Sequence, residues 1–504
     1  MNIRPSTHFI RLLISGTFIF QLMSCISTYQ MPSSDVNRAF KKGYAEKSLK
    51  MHQQNNLSYM PRSHDQVLYY LDLGMLNHYA GNYMVSNDLL TKAEFAIEEN
   101  FTKSLSKHLS SFIFDDRILN YSGEDYEDIY LNVFKALNYY QLNKNEDAMV
   151  EIRRVNEKVT LLQDKYKKLG RQLSRSNEAK VLKKKMDLPD LHFHNSALAA
   201  YISELFYVAD QNYDSARIEI DRIYDAFAYQ PKIYNFKIPR EIAILRWCIQ
   251  KTSTEICLKP SSTAKFSILA FCGQPPIKSA KTYWVITRKN QIIIAGNKSG
   301  SNRIDMIPWK GIQPGHYLKF SIPYMKQRDD RIAKIEGVIG KQRFALKKLE
   351  NMSNVAIEAF NQKKSLIYLK TFIRAVWKSI AAAEVKQSID EKYKEKNKNK
   401  EKNRKRRKDK EKPKKISFGA FIMAEFKKSM VDGIIEALEQ PDLRTSSFFP
   451  ARAYMGEVLI QPGLYPVKII YCDQAGKRLK EKNLGKQKVV STGLNLLHSS
   501  FFDK

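Results

Sequence analysis

Cysteine is scarce in this 504-residue chain, with five in all, and no two stand in a Cys-x-x-Cys pair. That excludes zinc ribbons and thioredoxin-type redox motifs. The nine histidines are scattered, and the one close pair, His192 and His194, cannot share a helix face. No metal site is expected from them. No apolar run reaches the roughly 18 residues that a spanning helix needs. The Gly/Ser-rich loop GNKSGSNR at 296–303 lacks a Gly-Lys-Ser/Thr ending and reads as a hairpin tip rather than a phosphate cradle. Carboxylate pairs such as Asp115-Asp116 and Asp329-Asp330 lie in loops without acid–base partners. With no catalytic constellation, no metal and no cofactor, a non-enzymatic protein is expected. Acidic residues are also few, 52 against 84 basic ones, for a formal charge of +32.

What is present begins with an address. Arg4 and Arg11 precede and border the short apolar segment LLISGTFIFQL, the arrangement of a secretory signal over residues 1–24. Its end, Leu22-Met23-Ser24-Cys25, resembles the bacterial lipobox. The resemblance implies that Cys25 is the mature N-terminus, carrying acyl chains that exceed the roughly two needed for stable membrane attachment. Ile26 rather than Asp follows, which by likeness to enteric lipoproteins implies the outer membrane, facing the periplasm. Among the other cysteines, Cys248, Cys257, Cys272 and Cys472, one disulfide within the first three and buried free thiols both stay open.

Residues 392–415 hold 15 Lys and Arg against 4 Asp and Glu. In the cytosol such a tract would suggest nucleic acid. An exported chain does not meet the nucleus, and Tyr393 is the one aromatic in the tract, so bases have nothing to stack on. A solvated insert is expected, with no nucleic-acid partner and with adsorption to anionic surfaces as its one activity.

Residues 25–60 are polar and Pro/Ser-marked, with one short helical piece between, and read as a tether off the membrane, either free or partly packed. Helical periodicity then fills 61–250. Tyr70, Leu73-Gly74, the turn to Tyr83, then Ser86, Leu90 and Ala93 resemble one tetratricopeptide repeat. Ala136, Tyr139 and Ala148 recur at like offsets in a second segment, as do Tyr207, Tyr213, Ala216 and Ile220 in a third. Small residues let paired helices approach closely, and large ones fill the remaining groove. Glu204 stands where a small residue is expected, so the packing of the third segment must differ. Ile152, Val155, Val159, Leu162, Tyr166, Leu169 and Leu173 step by threes and fours. A long helix docked on its own neighbours is the expected reading, an intermolecular coiled coil the alternative.

From 262 to 345 the pattern changes to short β-branched and aromatic runs between Gly/Pro turns. A helical segment at 353–440 encloses the Lys-rich insert, and strands return at 448–502. The two β segments are expected to join into one domain. The fold class is therefore α+β: a tetratricopeptide-like α-helical solenoid followed by a β-sandwich-like module with inserted helices.

This order resembles a family of bacterial lipoproteins with tetratricopeptide-like N-terminal helices and a β-rich C-terminal half, on LDLGMLNHYAGNY, FCGQPPIK, FIRAVWKS and QPGLYPVKIIYCDQAG. The family carries no established activity. The function expected is a membrane-anchored scaffold whose helical groove docks a protein partner. The alternative is a binder of anionic envelope lipid or glycan.

Overall fold

The computed structural model describes residues 29–59, 64–106, 120–173, 195–258, 262–296, 303–308, 314, 317–361, 367 and 441–503. Cys25, the His192/His194 pair, most of the GNKSGSNR loop and the Lys-rich tract lie outside them. The fold is mixed α+β, with helices and two sheets among the described residues.

Four helical hairpins follow in chain order: α1 (Ser34–Lys41) with α2 (Ala45–Asn55), α3 (Gln66–Tyr79) with α4 (Tyr83–Ser106), α5 (Asp125–Gln141) with α6 (Asn145–Leu173), and α7 (Ala197–Ala209) with α8 (Tyr213–Tyr229). Each turns in three residues, and the middle one is left-handed: Gly43, Gly81, Asn143 and Gln211, with φ of 83°, 82°, 58° and 56°. The third turn residue donates its N–H five residues back, Tyr44 to Ala39 (3.0 Å), Asn82 to Asn77 (2.9 Å), Lys144 to Tyr139 (2.9 Å) and Asn212 to Tyr207 (2.8 Å). Helix-end carbonyls are thereby satisfied the same way four times. Two shorter helices follow, α9 (Arg240–Lys251) and α10 (Thr254–Leu258). Cys248 and Cys257 join them in a disulfide, while Cys272 and Cys472 are buried free thiols.

The first hairpin corrects the expected tether at 25–60. The chain is packed from Tyr29 onward, with Val36, Phe40, Leu49 and Tyr59 in the core. Further along, the small residues sit where helices cross. Ser86, Ala93, Ala136, Ala148 and Ala216 are fully buried, and Leu73 is nearly so. Tyr70, Tyr83 and Tyr213 are half-buried. A Cβ on Gly74 would lie 2.7 Å from Leu90 Cδ2 and 2.8 Å from its Cγ. Gly74→Leu should therefore destabilise the full chain by about 1–3 kcal/mol through overpacking, read as a lowered thermal midpoint; an unchanged midpoint would remove this crossing from the account. On α6, Ile152, Val155, Val159 and Leu162 are buried in the chain's own core, so this stretch of the seam is used internally.

The strands are β1 (Ala264–Cys272), β2 (Ile277–Arg288), β3 (Gln291–Ala295), β4 (Arg303–Pro308), β5 (Tyr317–Lys326), β6 (Lys334–Ile339), β7 (Gln342–Glu350), β8 (Arg452–Ile460), β9 (Gly463–Cys472), β10 (Arg478–Val489) and β11 (Leu496–Phe501). Both β segments of the sequence share a seven-stranded sheet, ordered β10-β9-β6-β7-β8-β1-β11, and β2 to β5 form a second sheet ordered β4-β3-β2-β5. The two sheets do not build the expected sandwich. The larger one curls toward a barrel: Tyr471 on β9 donates to Ser499 on β11 (3.3 Å), and Lys482 on β10 reaches the carbonyl of Ser500. Its interior holds Phe266, Ile268, Ala270, Ile335, Val467, Ile469 and Phe501, while the smaller sheet gathers its own cluster around Ile286 and Ile293.

Strand β1 explains how helices and barrel lock together. Its even residues enter the barrel, whereas Leu269 and Phe271 enter the helical core. Burial on both faces is why AKFSILAFC reads as an unbroken apolar run. Helices α3, α5 and α7 lie against the sheet, and bonds such as Tyr140 to the Leu494 carbonyl (3.0 Å) and Tyr201 to Glu457 (2.9 Å) cross between them. Glu204 is accounted for here: it turns from its partner helix to Lys265 on β1, at 3.0 Å. Among the described residues no helix is long and apolar enough to cross a membrane.

Candidate functional site

The inner face of the helices is where a helical-repeat protein would hold a peptide. Here the chain's own residues 441–450 lie along it. Arg444 pairs with Asp65 at the start of α3 (2.8 Å). Glu127 on α5 accepts from the Ser446 N–H (2.6 Å) and the Thr445 hydroxyl (3.1 Å). Asp72 on α3 accepts from the Ser447 N–H (2.9 Å) and the Ser446 hydroxyl (2.7 Å). Tyr79 donates to the Phe448 carbonyl (2.9 Å), and the Phe448 ring meets Phe40 while the Phe449 ring meets Phe134 and Tyr126. Burial pushes Asp72 up to about 6 and, with Glu124 beside it, Glu127 up to about 7. Residues 441–450 are thus gripped against α3 and α5 through backbone and side chains. Of the residues put forward from the sequence, those above hold the hairpins together and do not line this face.

A second carboxylate cluster is structural too. Lys135, 1% exposed, lies between Glu94 (2.8 Å) and Glu151 (3.0 Å), and Lys158 bridges Glu94 and Asp128, both at 2.7 Å. These charges compensate one another and fasten α4, α5 and α6.

At the seam between helices and barrel, the His78 ring on α3 stacks on His498 of β11, centroids 5.2 Å apart. Asn138 bonds His78 Nδ1 (2.6 Å), whereas His498 Nε2 is buried without a hydrogen-bond partner. Burial lowers His78 to about 4 and His498 to about 3, the latter helped by His78 and by Lys482. Groups depressed below their ordinary 6.5 favour the folded state above that pH and penalise it progressively as pH falls toward their folded values. His498→Phe should therefore gain on the parent by up to about 1.4 kcal/mol per pH unit below 6.5. Urea midpoints at pH 7.5, 6 and 5 check this, since the raised Asp72 and Glu127 are common to both proteins; parallel slopes would refute it.

Among the described residues, an open site lies at the end of the curled sheet where β6 and β8 begin and β7 and β9 finish. A groove of about 910 Å³ there is lined by Asp330, Arg331, Lys334, Glu336, Lys347, Lys348, Arg452, Tyr454 and Asp473, among others. Arg452 is clamped on both oxygens of Asp330, and its Nε is buried with no hydrogen-bond partner among the described residues. Arg331 pairs with Asp503 (2.7 Å) and Glu336 with Arg343 (2.6 Å). Lys334, Lys347 and Lys348 have no ion pair among the described residues. Burial, then the neighbouring Arg452, lowers Lys348. The Cys272 thiol beneath is pushed up by burial to about 12, which makes it inert as a nucleophile. Surplus cations in a partly desolvated cleft attract an anion, and one placed near Lys348 and Arg452 would relieve their repulsion. No sequence motif pointed here, because the lining comes from four separated stretches of chain.

No family model, curated protein or solved structure matches the chain.

Proposed function

We propose that this chain is an envelope lipoprotein, anchored through Cys25 at the periplasmic face of the outer membrane, that binds an anionic lipid or glycan group at the barrel mouth. The reading is carried by one contrast. Helices α3 and α5, the natural place for a protein partner, hold residues 441–450, whereas the mouth is open and carries three lysines without ion pairs among the described residues. The four turns of matching geometry support tetratricopeptide-like hairpins, serving here as a rigid mount for the barrel. The same order of helices and sheets supports the likeness to lipoproteins of that architecture. Protein docking keeps one observation in its favour, the exposed Met84, Val85 and Phe95 on the outer helix α4; a partner recovered from envelope extract at high salt, and lost in Phe95→Ser, would establish it.

Equilibrium dialysis with glycerol phosphate tests the mouth. Lys347→Gln with Lys348→Gln should weaken binding by about 10- to 100-fold, the worth of one charge-assisted hydrogen bond, and added salt should weaken it in the parent. Lys144→Gln, on an exposed hairpin turn, should change nothing. Equal binding by all three proteins would refute the site.

A further inference from the structure

Cys25 is four residues from Tyr29, and Tyr29 is already core. It is 7% exposed, donates to Asp72 (2.6 Å) and meets His52 Nε2 at 3.0 Å. Four residues span at most about 14 Å, so a body anchored at Cys25 has no room to stand away from the membrane. The face around Tyr29 must lie close to it.

That face has the composition such a position needs. Gln30 and Asn56 bond in both directions (2.9 and 3.2 Å), and the residues that follow each, Met31 and Leu57, are 43% and 82% exposed. Arg38, Lys42, Lys47 and Lys50 on the first hairpin are all exposed, against Asp35 and Glu46. Asp35 is taken by Arg38 (3.2 Å). Exposed apolar side chains, with Lys42, Lys47 and Lys50 in no ion pair among the described residues, suit the headgroup region of an anionic bilayer.

This face connects to the barrel mouth through a short chain of packed rings. Ring contacts run from Tyr29 to His52 (5.7 Å), to Phe448 (6.2 Å), to Phe40 (4.9 Å) and to Phe502 (4.4 Å). The next residue, Asp503, holds Arg331 on the mouth with two bonds, 2.7 and 2.9 Å. We infer that the α1–α2 face rests on the anionic lipid surface that holds Cys25, and that the anion taken by the mouth is a headgroup of that membrane. The first half rests on the Cys25 anchor proposed above, the second on the mouth reading as well.

Lysine acetylation of the lipidated full chain separates the two. In phosphatidylglycerol vesicles, compared with detergent, Lys42, Lys47 and Lys50 should each be protected about fivefold, the factor corresponding to about 1 kcal/mol per lysine near an anionic surface. Lys144 and Lys486 should stay reactive. Protection of the first three should fall in phosphatidylcholine vesicles, where the anchor holds but the charge is gone. Reactivity of Lys42, Lys47 and Lys50 equal to that of Lys144 in phosphatidylglycerol would overturn the inferred orientation. A second arm uses inorganic phosphate without membrane. If phosphate protects Lys348 but vesicles do not, the mouth reading stands and the headgroup assignment is overturned. If neither protects Lys348, the mouth reading itself fails, while the orientation is still decided by Lys42, Lys47 and Lys50.

Discussion

Phe449→Ala will loosen the helical layer from the barrel and lower the stability of the full chain by about 3–5 kcal/mol, the usual cost of deleting a fully buried aromatic ring. Phe449 is 0% exposed and lies where three parts of the chain meet. Its ring packs against Tyr126 (6.1 Å) and Phe134 (5.9 Å) of α5, and Phe134 in turn meets Phe271 of β1 (5.2 Å). A cavity there cannot close by a local shift, because the backbone on either side is fixed. Upstream, Ser446 and Ser447 are held by Glu127 and Asp72; downstream, the Ala451 N–H bonds the Cys272 and Gly273 carbonyls (3.1 and 2.9 Å). Leu443→Ala, at a side chain 41% exposed in the same segment, should cost well under about 1 kcal/mol. Urea midpoints of the two variants decide the matter. Equal, small losses would mean that residues 441–450 lie over the helices without being gripped by them.

Why the grip on residues 441–450 escaped sequence reasoning follows from the same residues. Gly74, Ser86 and Ala93 announce a close helix crossing because that contact is local, a few turns away along the chain. The grip of Asp72 on Ser447 spans 375 residues, and nothing in RTSSFFP marks it as a peptide that must find two buried carboxylates. The curl of the larger sheet is hidden for a like reason: β1 pairs in parallel with β11, Ser267 beside Leu496, and alternation along a strand does not disclose its partner. The run AKFSILAFC lay within the segment read as strands, but its burial on both faces depends on neighbours distant in the chain. The first hairpin was the nearest miss. Lys42-Gly43-Tyr44 repeats the Ala80-Gly81-Asn82 turn, but its helices are short and polar outside Val36, Phe40 and Leu49. Glu204 was recognised as out of place, and its reason lay on β1, in Lys265.

The other large effect is expected at Glu350, the residue that ends β7 and is 0% exposed. Its carboxylate accepts from the hydroxyls of Tyr130 on α5, Ser196 at the start of α7 (3.0 Å) and Tyr234 after α8 (2.9 Å), and from the Leu198 N–H (2.8 Å). No Lys or Arg pairs with it among the described residues. Glu350→Leu would strand four buried donors at once, and a loss of about 3–5 kcal/mol is expected, comparable to breaking a buried ion pair. Overpacking alone does not explain such a loss if Glu350→Gln behaves differently, so the pair is needed. The amide keeps one acceptor oxygen and should cost less at neutral pH. Its pH dependence carries the sharper test. Burial holds the Glu350 carboxyl above its ordinary range, although its hydrogen bonds pull the other way. A raised carboxyl takes up its proton in the folded state first, so the parent gains stability as pH falls from the folded value toward about 4.5. The glutamine variant has nothing to titrate there, and the gap between parent and variant should widen on acidification. Urea midpoints at pH 7.5 and 5 measure that gap. A gap that narrows would mean the carboxylate is held charged, as a true anion bound by four donors, and that the helices are fastened to the sheet by its charge rather than by its protonated form.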